Sequence, residues 1–243
     1  IGNLIKLEKL EAKENDIKEL PKEILKCTKL THVDLALTSY SSMRSTLQLP
    51  DGISSLNIKY FSVTGYSVKC NERDLEQLLS RFYVEKGRIV FFLQIERTPK
   101  IRIIQNKIIL NCRNREILSQ VQYIDFSNMS LDGFPEVLFL MPNLRYLSLS
   151  KNNLNTIPDN IHTLSNLKLL DISHNQIEKL PVSINKLSKL KQLHLHNNHL
   201  IEIPYIFLQT INEKFDVSHN QLTCLLPIIL HTKKLKDVSG AGD

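Results

Sequence analysis

Three consecutive segments of the chain repeat one apolar pattern with a period of 23 residues. The segments begin at Leu144, Leu167 and Leu190, and the same residue types recur at fixed distances after each start. A strict period in this range predicts a stack of similar coils, because one coil cannot bury its own apolar face and depends on its neighbours. The matching columns are Leu147/Leu170/Leu193, Leu149/Ile172/Leu195, Asn152/Asn175/Asn198, Leu154/Ile177/Leu200 and Pro158/Pro181/Pro204.

Each segment contains the core pattern L-x-x-L-x-L-x-x-N-x-L, with a proline after it. The L-x-L alternation predicts a short parallel strand with one buried face. The side-chain amide of the column asparagine can bond backbone groups of neighbouring turns, which would join one coil to the next. The proline ends the regular structure, and we expect the chain to cross there to the other side of the coil.

This pattern resembles the leucine-rich repeat, and the L-P-x-x-I ending is similar to the 23-residue subtype of intracellular scaffold proteins. The resemblance implies an α/β solenoid in which parallel strands line a concave face and short helices or turns form the convex side. It covers nearly the whole chain, as about nine to ten coils with an irregular centre. It also implies scaffold or adaptor activity in signalling, but it cannot name a partner.

We predict a single solenoid over residues 1–243. Regular coils occupy residues 1–69, with a loop insert at 38–50, and regular coils return over residues 121–243. Residues 70–120 form irregular or enlarged coils. The pattern stops within a coil at both ends, so we expect the chain to be an excerpt of a longer protein.

The irregular centre has only local signals. Asp74–Phe82 predicts a short amphipathic helix, and Arg88–Ile95 predicts a strand whose repeat starts at Val90. Ile101–Leu110 is rich in β-branched residues and predicts a second strand after a turn at Thr98–Lys100. A break between two solenoid halves in this region is the alternative.

The composition argues against several classes of function. The net charge of +6 is mild for 243 residues and the lysines are scattered, so we expect no nucleic-acid partner. No run of about 18 apolar residues occurs, which predicts no membrane span. The usual phosphate-binding and nucleophile motifs are absent, so we expect neither catalysis nor a cofactor in this chain. The oligomeric state stays open.

Four cysteines, Cys27, Cys70, Cys112 and Cys224, lie far apart in the sequence. Extracellular members of the family that the chain resembles usually carry paired cysteines in their caps, which are missing here. This favours a reducing compartment and a cytoplasmic location, or the host cytosol if the protein is a secreted effector. A disulfide among the four stays open.

The exposed positions of the strands are where a partner would bind. The third position of successive coils carries Tyr60, Phe92, Tyr123 and Tyr146, which predicts an aromatic row on the concave face. Exposed aromatic side chains are frequent anchors of protein interfaces. The alternatives are that cross-strand aromatic pairs only stabilise the sheet, or that the assumed register is wrong and Phe92 is buried.

Charged residues occupy other exposed positions of the same coils, with bases at the second position and acids at the fifth. This mixture favours a polar protein partner, because a polyanion would require a stripe of one sign. The candidate partner-binding residues of this kind are Asp125, Arg145, Lys168, Asp171 and Lys191.

His194 and His196 complete the candidate interface, with His174 and His219 on neighbouring coils. No cysteine or glutamate joins them at the spacing of a metal site, so we expect no metal here. The cluster predicts an interaction surface that is sensitive to pH.

We therefore expect a module that binds a protein partner through its concave face. One alternative is a bacterial effector whose repeats recognise a host protein, and another is the recognition part of a larger multidomain signalling protein or enzyme. A last alternative places catalysis in the irregular centre, at Glu72, Arg73 and Asp74.

Overall fold

A computed structural model describes residues 4–37, 45–94, 99–204, 213–223 and 237–239. The chain divides into two compact units. The first contains Ile1–Tyr83 and Ile89–Ile109, and the second contains Val84–Arg88 and Leu110–Asp243.

Short strands alternate with short helices along the chain. The strands are β1 (Lys9–Glu11), β2 (His32–Asp34), β3 (Ser45–Gln48), β4 (Tyr60–Ser62), β5 (Tyr66–Lys69), β6 (Phe82–Glu85), β7 (Arg88–Phe91), β8 (Leu93–Gln94), β9 (Tyr123–Asp125), β10 (Tyr146–Ser148), β11 (Leu169–Asp171), β12 (Gln192–His194), β13 (Lys214–Asp216) and β14 (Asp237–Ser239). The α-helices are α1 (Glu72–Leu79), α2 (Pro99–Asn111) and α3 (Arg115–Ser119). The 3₁₀-helices are Lys22–Lys26, Ile53–Ser55, Glu136–Leu140, Asp159–Thr163 and Val182–Lys186.

The first unit contains a parallel sheet with the order β1-β2-β4-β8. Its central residues pair in the register that the sequence predicted, with Leu10 opposite Val33 and Phe61 opposite Leu93. A second parallel sheet joins β3 to β5. The predicted insert at 38–50 is therefore not a simple loop, because Ser45–Gln48 is a strand; residues 38–44 lie outside the described part.

The larger sheet has the order β14-β13-β12-β11-β10-β9-β7-β6, and its strands β9 to β14 belong to the second unit. The pairs from β9 to β14 are parallel, and the repeat columns lie opposite one another, as with Leu147 between Ile124 and Leu170. The pattern of the regular coils is thus confirmed. The repeated sheet and its short helices form an α/β solenoid, as expected.

The core of each coil consists of the repeated leucine and isoleucine columns. Leu147, Leu170 and Leu193 are fully buried, whereas the residues before and after each of them in the strand are at least partly exposed. Pro158 and Pro181 precede 3₁₀-helices, which bury Ile161 and Ile184 from the opposite side. Four of the five described 3₁₀-helices begin directly after a proline, in agreement with the predicted role of this residue, and Ile53–Ser55 begins after Gly52.

The column asparagines hold the coils of the second unit together. Asn175 is buried, and its Nδ2 donates to the carbonyl oxygens of Leu149 and Ile172, both at 3.0 Å. Its Oδ1 accepts from the backbone N–H of Leu154 at 3.0 Å. Asn198 makes the same three contacts one coil further on, to Ile172, Leu195 and Ile177. Each asparagine therefore bonds its own coil and the preceding one.

The irregular centre differs in part from its prediction. The amphipathic helix exists as α1, which begins at Glu72 because the side chain of Asn71 accepts from the N–H of Asp74 at 2.8 Å. The strand predicted for Ile101–Leu110 is wrong, because α2 is a helix that starts at proline. Ile101 and Ile104 are buried three residues apart on this helix, so burial outweighs β-propensity.

Asp74 has a structural role in the first unit. This buried carboxylate accepts from the backbone N–H groups of Gly52 at 2.8 Å and Ser54 at 3.2 Å, and also from the hydroxyl of Ser54. Burial raises the pKa of Asp74, but the hydrogen bonds from Ser54, Gly52 and Asn71 outweigh it and hold the pKa below its usual value. These hydrogen bonds give a structural reason for a buried carboxylate at this position. They weaken the alternative of an active site at Glu72, Arg73 and Asp74.

We predict that Asn175→Ala destabilises the protein by roughly 3 kcal/mol, because it leaves the buried N–H of Leu154 unpaired and removes one bond to each of two carbonyls. Urea unfolding followed by circular dichroism measures the loss. Asn160→Ala, at an exposed asparagine, is the control and should change stability little. Equal effects of the two substitutions would contradict the role given to the column.

We also predict that Asp74 makes the protein sensitive to acid. Its pKa is lowered by folding, so its contribution is complete above the ordinary pKa of 3.8 and is lost as pH falls through the lowered value. Asp74→Asn should therefore destabilise the protein at neutral pH, and the difference from the original chain should shrink below about pH 4. Thermal unfolding at several pH values tests this, with the exposed Asp132→Asn as control. A difference that is constant with pH would refute the assignment.

Candidate functional site

The third and fifth positions of the repeat are the first and last residues of each of the strands β9 to β13. Together they form the exposed face of this sheet in the second unit, which we call the strand face. In register at the third position are Tyr123, Tyr146, Leu169, Gln192 and Lys214. Their side chains are all partly exposed, because the alternate residues of each strand point into the core. The sheet therefore presents these side chains at regular spacing on a supported backbone.

Tyr123 and Tyr146 stack on each other in this face. Their ring centroids lie 4.6 Å apart and the ring planes differ by 4°. The guanidinium of Arg88 lies 4.9 Å from the centroid of Tyr123, within the range of a cation–π contact. The three side chains line an open pocket of about 460 Å³, which Leu147 and Leu169 also line.

Arg88 was missed as a site residue. It begins β7 and pairs with Tyr123, and the turn before it contains Lys86 and Gly87, both with positive φ. A two-residue loop that ends in glycine, between segments at 82–85 and 88–91 that are rich in aromatic and β-branched residues, is a hairpin signal in the sequence. The sequence already predicted a strand that begins at Arg88, but it placed the repeat start at Val90 and therefore Phe92, not Arg88, beside Tyr123.

The aromatic row predicted from four residues is not continuous. Phe92 is buried, with 9% of its surface exposed, and packs near Phe61 and the guanidinium of Arg81, so its placement in an exposed row is wrong. The neighbour of Tyr123 on its other side is Arg88, not Phe92. In the first unit, Tyr60 is partly exposed and stacks on His32 at 4.3 Å.

The acidic residues at the fifth position have backbone roles. Asp125 and Asp171 each accept from the backbone N–H of the serine two residues later, at 2.9 and 3.0 Å. The same oxygen also accepts from that serine's hydroxyl. These carboxylates therefore fix the turn after each strand, and they remain at least partly exposed on the face.

The basic residues at the second position flank the strand face. Arg145 and Lys191 are exposed, and Lys168 is partly exposed. The carboxylate of Glu213 lies 2.9 Å from Nζ of Lys191 and raises the pKa of that lysine by hydrogen bonding and by its charge. The face thus carries both signs of charge, as predicted.

The histidines lie on neighbouring coils of the same unit. His194 and His196 are partly exposed, and burial lowers the pKa of His194 below its ordinary value. His174 and His219 both adopt positive φ directly before a column asparagine. Histidine is one of the residues that tolerate this conformation, so these two have a local structural explanation.

Comparison with known proteins identifies the repeats. Residues 128–213 match the sequence profile of the family described as leucine-rich repeat region. The match spans about a third of the chain and identifies leucine-rich repeats in that range. No curated protein matches its sequence significantly.

Solved structures of leucine-rich repeat proteins share this fold. A leucine-rich repeat protein of Leptospira interrogans is 22% identical with a TM-score of 0.60, and the alignment covers 99% of this chain and 62% of that one. An internalin of Listeria monocytogenes is 19% identical with a TM-score of 0.60, covering 100% and 76%. The ectodomain of the Arabidopsis thaliana receptor kinase GASSHO1/SCHENGEN3, in complex with CASPARIAN STRIP INTEGRITY FACTOR 2, is 20% identical with a TM-score of 0.55, covering 96% and 35%. At these identities the similarity shows the leucine-rich repeat fold alone.

Proposed function

We propose that this leucine-rich repeat chain is an interaction module that binds a protein partner through the strand face. The observation that carries the proposal is the stacked pair of Tyr123 and Tyr146, which lines an open pocket beside Arg88. Tyrosine and arginine are the side chains that most often dominate binding energy when they meet a partner in a pocket. A pair held on paired strands loses little conformational entropy on binding.

A protein is a better partner for this face than a nucleic acid. Arg145 and Lys168 provide positive charge, but Asp125 lies on β9, next to the coil of Arg145, and Asp171 lies on β11, in the same coil as Lys168. A polyanion would meet these carboxylates, whereas a protein surface can match both signs. Within the described part of the chain, no helix has the length and apolar character that crossing a bilayer requires.

We further propose that the chain itself is a non-catalytic scaffold in a reducing cell compartment. Among the described cysteines, Cys70 and Cys112 are free thiols, which supports this location. A host-targeting effector and the recognition part of a larger signalling protein use the same binding mechanism. They differ in the sequence that would flank these repeats.

We predict that replacing Tyr123 and Tyr146 together by alanine lowers partner recovery at least tenfold, because the pair supplies the apolar contact area at the centre of the pocket. The measurement is a quantitative pull-down from native cytosol, with the proteins recovered by the original chain as the reference set. Tyr83→Ala is the matched control, since it removes a tyrosine that is 55% exposed and lies outside the pair.

The same two variants separate binding from stability. If the pair only stabilised the sheet, the double variant would unfold at lower temperature and yet recover every partner at the original level. Unchanged recovery by a folded double variant would remove the strand-face pair from the binding site.

A further inference from the structure

Two histidines and one aspartate converge at the C-terminal ends of β12 and β13. His194 and His196 lie on one side of the chain because they alternate with Leu195, which is fully buried. Asp216 is the register partner of His194 on the next strand. One potential ligand atom from each of the three side chains lies within 4.8 Å of the others.

His196 has an unsatisfied polar atom in this cluster. Its Nδ1 is shielded from solvent and has no hydrogen-bond partner among the described residues. Oδ2 of Asp216 lies 3.2 Å away, but the alignment does not make a hydrogen bond. The two atoms form an ion pair when the imidazole is protonated; with a neutral imidazole, a cation bound between them would satisfy the shielded nitrogen.

The carboxylate of Asp216 is oriented by its own coil. Oδ1 accepts from the backbone N–H of Ser218 at 3.2 Å and from its hydroxyl at 2.8 Å. Oδ2 of the same carboxylate lies 3.2 Å from Nδ1 of His196. Hydrogen bonds of this kind fix the direction of metal-binding carboxylates in known sites.

We propose that His194, His196 and Asp216 bind a divalent transition metal, with Zn²⁺ as the ion that fits best. Two imidazole nitrogens and one carboxylate oxygen form a donor set that suits zinc, whereas calcium and magnesium require oxygen ligands throughout. From the sequence no metal is expected, because no cysteine or glutamate stands at ligand spacing. The pairing of β12 with β13 supplies Asp216 instead.

The distances fit this ion after small side-chain movements. Tetrahedral zinc with bonds of about 2.0–2.1 Å places its ligand atoms roughly 3.3 Å apart. The separation of 3.2 Å between His196 and Asp216 already meets this value. The wider separations, up to 4.8 Å, close by rotation of partly exposed side chains.

The consequence is a metal that joins two consecutive coils. Two ligands come from the coil of β12 and one from the coil of β13, and a fourth position stays open to water. This site does not involve Tyr123 or Tyr146, so it can be tested independently of the proposed partner binding.

Isothermal titration of the untagged chain with ZnCl₂ tests the site. We expect one zinc ion per chain, and a loss of affinity greater than the roughly 10–100-fold caused by outer-sphere substitutions in both His196→Gln and Asp216→Asn. Asn keeps an oxygen that can accept from Ser218, so the coil should stay folded. His199→Gln, at an exposed histidine outside the cluster, is the matched control and should bind as the original chain does.

Substitution of Co²⁺ for zinc provides a second measurement that needs no variant. Three nitrogen and oxygen ligands should give the visible absorption of four-coordinate cobalt without a thiolate charge-transfer band. A thiolate band would assign the metal to cysteines, and equal zinc affinity in the original chain, His196→Gln and Asp216→Asn would assign it elsewhere on the surface. Either result, or no binding, would overturn the proposal.

Discussion

The hydrogen bonds of the column asparagines are the interaction on which the second unit depends most. The carbonyl oxygen of Leu149 accepts from Asn152 of its own coil and from Asn175 of the next, and that of Ile172 accepts in the same way from Asn175 and Asn198. Leu149 and Ile172 directly follow the ends of β10 and β11, and their carbonyl oxygens accept these bonds from asparagine side chains. Without the amides, each coil would bury unpaired backbone groups, which is costly.

This constraint also determines what the protein can present to a partner. Since every coil is fixed to the next in the same register, the exposed residues of the strands form straight columns across the sheet. The stacked tyrosines and the cluster of His194, His196 and Asp216 both result from this register. Side chains from successive coils, which are far apart in the sequence, therefore lie side by side on the sheet.

Where the period is strict, the sequence predicts the structure closely. The strands, the proline-initiated helices and the asparagine bonds of residues 121–200 agree with the pattern, because each position has one repeated environment. Periodicity alone could not predict that Phe92 is buried, since its neighbours come from the irregular centre. The helix at Pro99–Asn111 was missed because its isoleucines favour strands locally and are helical only through tertiary burial. Asp216 is brought beside His194 by the pairing of β12 with β13.

Amide hydrogen exchange measured residue by residue tests the central claim most directly. If the asparagine column ties the coils together, the amides of Leu154 and Ile177, whose partners among the described residues are asparagine side chains, should exchange slowly. Their rates should match those of the Leu149 and Ile172 amides, which bond to backbone carbonyls of the next strand. Exchange of Leu154 and Ile177 as fast as that of exposed loop amides, while the strand amides stay protected, would contradict the account.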